Sequence, residues 1–174
     1  MTPLVPHPST PETAFGVAAG VERVAGGLRF AYRVVGDLAA VRVPPPAPAR
    51  RTDRLWDHTC FEAFVAVDGE PGYVELNAAP SGAWALYAFA RYRERSADPD
   101  GAPAIEVARD ADALDVTAVL SCSAAALRVG LTAVVERTDG RTSYWALAHP
   151  SSRPDFHDAS GFVAHVPAAA EVRE

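Results

Sequence analysis

Two short stretches carry most of the residues able to do chemistry. In Leu55-Trp56-Asp57-His58-Thr59-Cys60-Phe61-Glu62-Ala63-Phe64 a tryptophan stands six residues ahead of a glutamate, and Tyr73-Val74-Glu75-Leu76-Asn77 adds a second glutamate and an amide. In extended chain, residues of equal parity share a face. Cys60, Glu62, Phe64 and Ala66 then point one way, and Tyr73, Glu75 and Asn77 form a matching set on the next strand. A hairpin brings Glu62 and Glu75 onto one side of the sheet with Asn77 beside them. Carboxylates on an otherwise apolar face are costly to bury alone, so they call for ligand hydroxyls or an arginine. An indole at the strand edge supplies the other half of a sugar site. Its ring stacks on the apolar C–H face of a pyranose while acids and amides take the hydroxyls.

A second unusual segment is Ser143-Tyr144-Trp145-Ala146-Leu147-Ala148-His149-Pro150, leading to Arg153-Pro154-Asp155-Phe156-His157. A strand that ends in His-Pro and enters a proline-bounded loop is locally rigid, and such loops at sandwich ends hold ligands. Trp145 is expected to be a second stacking ring and His157 a further polar contact. Trp84 and Tyr87 are additional aromatic candidates, with the core as the competing place for Trp84. His149, Asp155 and His157 could join Glu62, Asp57 or His58 around a metal, but no HExxH or paired His/Cys spacing supports this. Loop-capping hydrogen bonds are the favoured role for Asp155 and the histidines, and neither metal nor cofactor is expected.

Catalysis has little support. There is no Gly-x-Ser-x-Gly elbow, Pro80-Ser81-Gly82 reads as a turn, and Cys60 lies in an apolar segment where a thiol is inert. No glycine-rich phosphate loop is present. Glu62 with Glu75 as the acid and nucleophile of a glycosidase stays open as an alternative.

The elements that must position these residues follow a period of two. Leu28 to Val34 alternates cleanly, Gly36-Asp37 turns, and Ala39 to Val43 reads as a short strand. Pro44-Pro45-Pro46-Ala47-Pro48 forces an extended loop to Arg54. Strands are expected over Cys60 to Val67, Tyr73 to Asn77, Trp84 toward Tyr92, Ile105 to Val107, Leu114 to Leu120, Leu127 to Arg137, Thr142 to Ala148 and Phe162 to Val166. Asp68-Gly69-Glu70-Pro71-Gly72 and Thr138-Asp139-Gly140 are hairpin connections, and Ser121 to Ala126 is a bend or a turn of helix. Many short strands, frequent turns and no long amphipathic helix predict an all-β fold, a two-sheet antiparallel β-sandwich or barrel. Residues 1–14 read as an extended N-terminal segment, 15–167 as one domain and 168–174 as a tail.

Composition narrows the partners. The 174 residues carry 49% hydrophobic and 22% charged side chains, as globular domains do. All 16 basic residues are arginine and the net charge is −6, which disfavours capture of nucleic acid or anionic lipid. Met1 to Pro11 lacks the basic start and apolar run of a signal peptide, and no apolar run is long enough to cross a membrane, so a cytoplasmic location is expected. Cys60 and Cys122 resemble small buried hydrophobes and would stay reduced there.

Taken with Pro80-Ser81-Gly82-Ala83-Trp84-Ala85-Leu86-Tyr87 and Pro154-Asp155-Phe156-His157, the two opening stretches and Ser143-Tyr144-Trp145-Ala146-Leu147 resemble a bacterial family of DOMON-like domains, across Phe15 to Val166. That family is similar in fold to family-nine carbohydrate-binding modules, so the resemblance implies a jelly-roll-like sandwich with a ligand site on one face or edge. In those modules a tryptophan precedes a strand carrying a glutamate and polar residues follow on the next strand. Trp56, Glu62, Glu75 and Asn77 match these positions, and Trp145 stands for a second, late clamping tryptophan. Haem-binding relatives use methionine with histidine or lysine. Here Met1 is the only methionine and lysine is absent, which leaves only bis-histidine ligation among His58, His149, His157 and His165. The expected function is a non-catalytic domain for a small polar, sugar-like ligand, with a hydrolase or a protein interaction module as the rivals.

Overall fold

A computed structural model describes residues 1–123 and 125–169. The strands among them are β1 (Thr2–Pro3), β2 (Val5–Pro6), β3 (Phe15–Val24), β4 (Gly27–Gly36), β5 (Cys60–Val67), β6 (Tyr73–Ala78), β7 (Trp84–Arg91), β8 (Glu94–Arg95), β9 (Ala104–Arg109), β10 (Ala113–Ser121), β11 (Leu127–Glu136), β12 (Thr142–Ala146) and β13 (Ala164–Val166). Helix is confined to three single 3-10 turns, at Leu38–Ala40, Leu55–Asp57 and Ala159–Gly161. No helix among the described residues is long and apolar enough to cross a membrane.

The strands form two antiparallel sheets, so the chain is the β-sandwich its period-two pattern predicts. One sheet has the order β1-β3-β4-β10-β9. The other runs β2-β12-β11-β5-β6-β7-β8, with β13 also paired to β11. Alternation sorts side chains between two environments. Phe30, Tyr32, Val34, Leu114 and Val116 of the smaller sheet meet Phe61, Ala63, Leu76, Leu131 and Val135 of the larger in one interior, each of them at most 2% exposed. Tyr32 also carries a polar link across it: its hydroxyl donates to the backbone carbonyl of Glu62 at 2.6 Å, fixing the strand that bears this acid.

Residues of the other parity on the large sheet build a second, outer cluster. Phe64, Ala66, Tyr73, Ala85, Tyr87 and Phe89 point away from the sandwich interior and are covered by Phe162, Phe156 and Leu55. Phe162 approaches so closely because β11 has glycine beneath it. A Cβ on Gly130 would stand 2.7 Å from the Phe162 ring. Aromatic residues on both faces of one sheet thus give the molecule a main core and a smaller platform for the site.

Several expectations change. Trp145 is not an outer stacking ring: it shares parity with Ser143 and faces the interior, 4% exposed. Its ring packs on Phe15 at 5.9 Å and its indole N–H donates to Ser143 Oγ at 3.0 Å. The expected strand over Ala39–Val43 is instead the first 3-10 turn, because the Asp37 carboxylate accepts the Ala39 N–H at 3.0 Å and caps it. Only Val41 keeps a bridge, to Arg137. The last strand begins at Ala164 rather than Phe162, after the Ala159–Gly161 turn. Phe15–Val24 is a full strand, although its glycines and alanines blur the alternation. The N-terminal residues are stitched to both sheets, β1 on β3 and β2 on β12, with Leu4 buried between them and a turn at residues 8–10 closed by the Thr10 N–H on the His7 carbonyl. Position 124, within the bend expected over 121–126, and most of the tail expected over 168–174 lie outside the described residues.

Candidate functional site

The register of the large sheet sets the floor of the site. Glu62 stands opposite Asn77 on β6 and Thr132 on β11, and Glu75 stands opposite Phe64 and Tyr87. All project onto the outer face. Asn77 donates its side-chain N–H to Glu75 Oε1 at 2.6 Å and is itself fully buried, so it positions this acid rather than facing solvent. Glu62 is 3% exposed, and its Oε1 finds no hydrogen-bond partner among the described residues; nor does Thr132 Oγ1 across the strand pair. Burial pushes the Glu62 carboxyl well above the usual carboxylate range and the charge of Glu75 pushes it further, while the Thr132 hydroxyl facing it, short of hydrogen-bond geometry, opposes them. Burial raises Glu75 as well, while the Asn77 amide and the nearby Arg95 and Arg93 hold it down.

One wall comes from the 3-10 turn Leu55–Asp57. Arg54 enters it in the left-handed region at φ 62 and pairs with Asp57 at 2.8 Å. This turn holds Trp56 at the rim, 39% exposed, with its ring edge-on to Tyr87 at 5.9 Å between centroids. Tyr87 is fixed from behind, since its hydroxyl donates to Asp53 at 2.8 Å and the Arg95 guanidinium lies 4.2 Å over its ring. A half-exposed indole against a fixed phenol is a stacking surface already ordered before a ligand arrives.

The opposite wall is the loop from 147 to 163. Its His157 ring lies edge-on to Phe64 at 5.2 Å and to Phe89 at 5.0 Å. The Tyr73 oxygen accepts the Arg93 N–H at 3.1 Å and lies 2.8 Å from His157 Nδ1. Nε2 lies 3.7 Å from Glu75 Oε2, and an acceptor there favours the tautomer with its proton on Nε2, in which Nδ1 accepts from the Tyr73 hydroxyl. Burial, helped by Arg93, brings the His157 pKa down to about 4, so the ring is a neutral N–H donor at physiological pH. Asp155 clamps this loop to the β7–β8 hairpin by accepting from Tyr92 Oη at 2.6 Å, Arg93 Nη2 at 2.9 Å and the His157 N–H at 3.2 Å.

Between these walls lies a cleft of about 710 Å³, lined by Trp56, Glu62, Glu75, Tyr87, Phe156 and His157 among others. That volume suits a ligand of one or two sugar rings. Of the six residues singled out from the sequence, four therefore line one hollow, Asn77 lies beneath it, and Trp145 is on the far face of its sheet. Tyr144 takes the outer place that Trp145 does not, being of opposite parity on β12. That swap was readable from alternation. Arg93 and Arg95 were not, because they reach the cleft from a short hairpin with no sequence signature. The residues considered for a metal disperse: His58 pairs with Glu136 at 2.8 Å, and His149 donates to the Val5 carbonyl at 2.8 Å. No group of three or more His, Cys, Asp or Glu spaced to hold a metal occurs among the described residues. Cys60 and Cys122 are both free thiols.

Comparison with known proteins gives one result, at the level of the fold. No family model and no curated protein matches the chain. Among solved structures, the chain is similar to a "putative carbohydrate-binding protein" from Bacteroides uniformis ATCC 8492, with a TM-score of 0.72 and 17% identity over 95% of this chain and 84% of the other. The sandwich architecture is shared across nearly the full length.

Proposed function

We propose that this chain is a non-catalytic binding domain for a small polyhydroxylated ligand, a sugar or sugar-like metabolite, held in the cleft on the outer face of the eight-stranded sheet. The observation that carries this reading is the Glu62 carboxyl at the cleft floor, with a buried oxygen that nothing among the described residues satisfies, beneath a half-exposed tryptophan. An unpaired buried polar group costs about 1–3 kcal/mol, and a ligand hydroxyl or N–H recovers it. Trp56 and Tyr87 take the ring face, Glu62 and Glu75 the donors, and the His157 Nε2–H an acceptor oxygen. The description of the structural neighbour as carbohydrate-binding supports the same class of ligand. So does the resemblance to DOMON-like domains, which we keep as part of the proposal.

Two buried acids with raised pKa values on one cleft also support a second reading, a glycosidase acid and nucleophile pair. Isothermal titration against a panel of mono- and disaccharides, paired with an assay of glycoside turnover, separates the two. Binding without turnover, lost in Trp56→Ala with little change in melting temperature, is expected. Turnover abolished by Glu62→Gln would favour the enzyme, and silence across the panel would overturn the sugar reading.

A further inference from the structure

The two acids at the cleft floor differ from the other charged groups on its walls. Arg93 has Asp155 at 2.9 Å, Arg95 has Asp98 at 2.7 Å, and Asp57 has Arg54 at 2.8 Å. Arg93 and Asp57 each have a partner of opposite charge, and Arg95 shares Asp98 with Arg51, which lies 2.6 Å from the other oxygen. Glu62 and Glu75 make no ion pair with an arginine among the described residues, and the histidine 3.7 Å from Glu75 is neutral. One Glu75 oxygen receives the Asn77 amide, whereas Glu62 Oε1 receives nothing. Arg95 and Arg93 bear on Glu75 through space without pairing with it, and no cation bears on Glu62, so the floor carries two carboxyl groups without an ion pair, and its walls present the aromatic side chains of Trp56, Phe64, Tyr87, Phe89, Tyr144 and Phe156.

We propose that this cleft selects ligands bearing a protonated amine, an amino sugar within the class proposed above, with the ammonium against Glu62 and Glu75 and the ring carbons against Trp56 and Tyr87. This inference rests on the reading of the cleft as a sugar site and adds the charge of its ligand. An ammonium has three N–H donors and no acceptor, so it satisfies Glu62 Oε1 and still bonds Glu75. A hydroxyl has one donor and serves only one of them. Charge-assisted bonds are about twice as strong as neutral ones, and aromatic faces attract a desolvated cation. A divalent metal ion would also answer the charge, but calcium takes about six to eight oxygen ligands, and two carboxyl groups fall far short.

The groups facing the pair come from every neighbouring element. They are Cys60 on β5, Tyr32 on β4, Tyr73 and Asn77 on β6, Tyr87 on β7, Arg95 on β8, Arg93 in the β7–β8 turn, Asp57 on the Leu55–Asp57 turn, Thr132 on β11, and Asp155 and His157 from the loop. Burial keeps Cys60, Tyr32, Tyr73 and Tyr87 protonated, His157 stays neutral and Asp155 stays ionised. Burial raises the pKa of both glutamates, so each tends to hold a proton that an ammonium displaces by stabilising the charged carboxylate. Amine affinity therefore rises as the medium moves from acid toward the raised carboxyl range, while a neutral sugar gains nothing.

The test is isothermal titration of the unaltered protein with D-glucosamine, D-glucose, N-acetyl-D-glucosamine and benzylammonium, at about pH 5 and about pH 7 in two buffers of different ionisation enthalpy. Glucosamine is expected to bind at least about tenfold more tightly than the two neutral sugars at the higher pH, equivalent to ~1.4 kcal/mol. Proton release should accompany its binding, and Glu62→Gln should remove the preference. Glucose or N-acetylglucosamine binding as tightly as glucosamine overturns the inference and leaves the sugar reading standing. Benzylammonium binding with no sugar bound upholds the amine selectivity and overturns the sugar reading. No binding by any of the four overturns both.

Discussion

At the scale of single residues, the account turns on where protons and hydrogen bonds go. Glu62 has a raised pKa in the folded chain, so the native state holds its proton at pH values where the unfolded chain has lost it. Its stabilising contribution is full below the ordinary carboxylate range and is lost as pH rises from there toward the raised native value. Glu62→Gln is expected to flatten that decline, because the amide carries no charge at any pH in the range. A gain of about 1 kcal/mol above neutrality would lift the melting temperature by ~2–4 °C in a chain of this size; scanning calorimetry from mildly acidic to mildly alkaline pH reads it. His157 works in the opposite sense. With a native pKa near 4 against 6.5 unfolded, it stabilises fully above 6.5, and that contribution is lost as pH falls through the interval down to about 4. Proton NMR of the imidazole signals should show His157 resisting protonation until about pH 4. The facing of Glu62 and Glu75 was legible because strand parity is written in the sequence. The empty valence on Glu62 was not, since it depends on which side chains from β11 and the 147–163 loop arrive around it.

Elements decide which aromatic rings become surface. Trp56 and Trp145 look alike in the sequence, each close to polar residues and at a strand or its edge. Parity on β12 sends Trp145 inward against Phe15, while the Leu55–Asp57 turn holds Trp56 at the rim. Trp145→Ala should therefore cost about 3–5 kcal/mol and strand the Ser143 hydroxyl, whereas Trp56→Ala should cost less than about 1 kcal/mol. Urea titrations of the two variants check the contrast. The outer cluster makes a second demand at this scale. Gly130 on β11 has no side chain because the Phe162 ring occupies that space, and Gly130→Ala should destabilise by about 1–3 kcal/mol through overpacking. It should also loosen the loop bearing His157. Nothing in Arg128-Val129-Gly130-Leu131 signals this contact, because the ring that fills it comes from 32 residues further along the chain.

For the whole molecule, the sandwich was readable from turn signals and alternation, and the eight-stranded sheet explains what was not. A sheet with aromatic residues on both faces has to cover the outer one, and here Phe156 and Phe162 from the 147–163 loop and Leu55 from the 3-10 turn do so incompletely. The cleft is the uncovered remainder. Expectations failed where side-chain capping replaced strand pairing, as at Asp37, and where small residues hid alternation, as in Phe15–Val24. The N-terminal residues tie both sheets at their edges through β1 and β2, and deletion of residues 1–7 would expose β3 and β12 as bare edges. Lower stability and concentration-dependent association of that truncation, seen by light scattering, are the expected result.

The central claim is that the hollow between Trp56, Glu62, Glu75 and His157 is where a small polyhydroxylated molecule binds. Titrating ¹⁵N-labelled protein with glucosamine and with neutral sugars tests it through the indole N–H signals, since the tryptophans occupy different environments. The account requires saturable shifts at the half-exposed Trp56 and at the His157 backbone amide, with the Trp145 indole unmoved against Ser143. Saturable shifts on the smaller sheet with Trp56 silent would place the ligand elsewhere and contradict it.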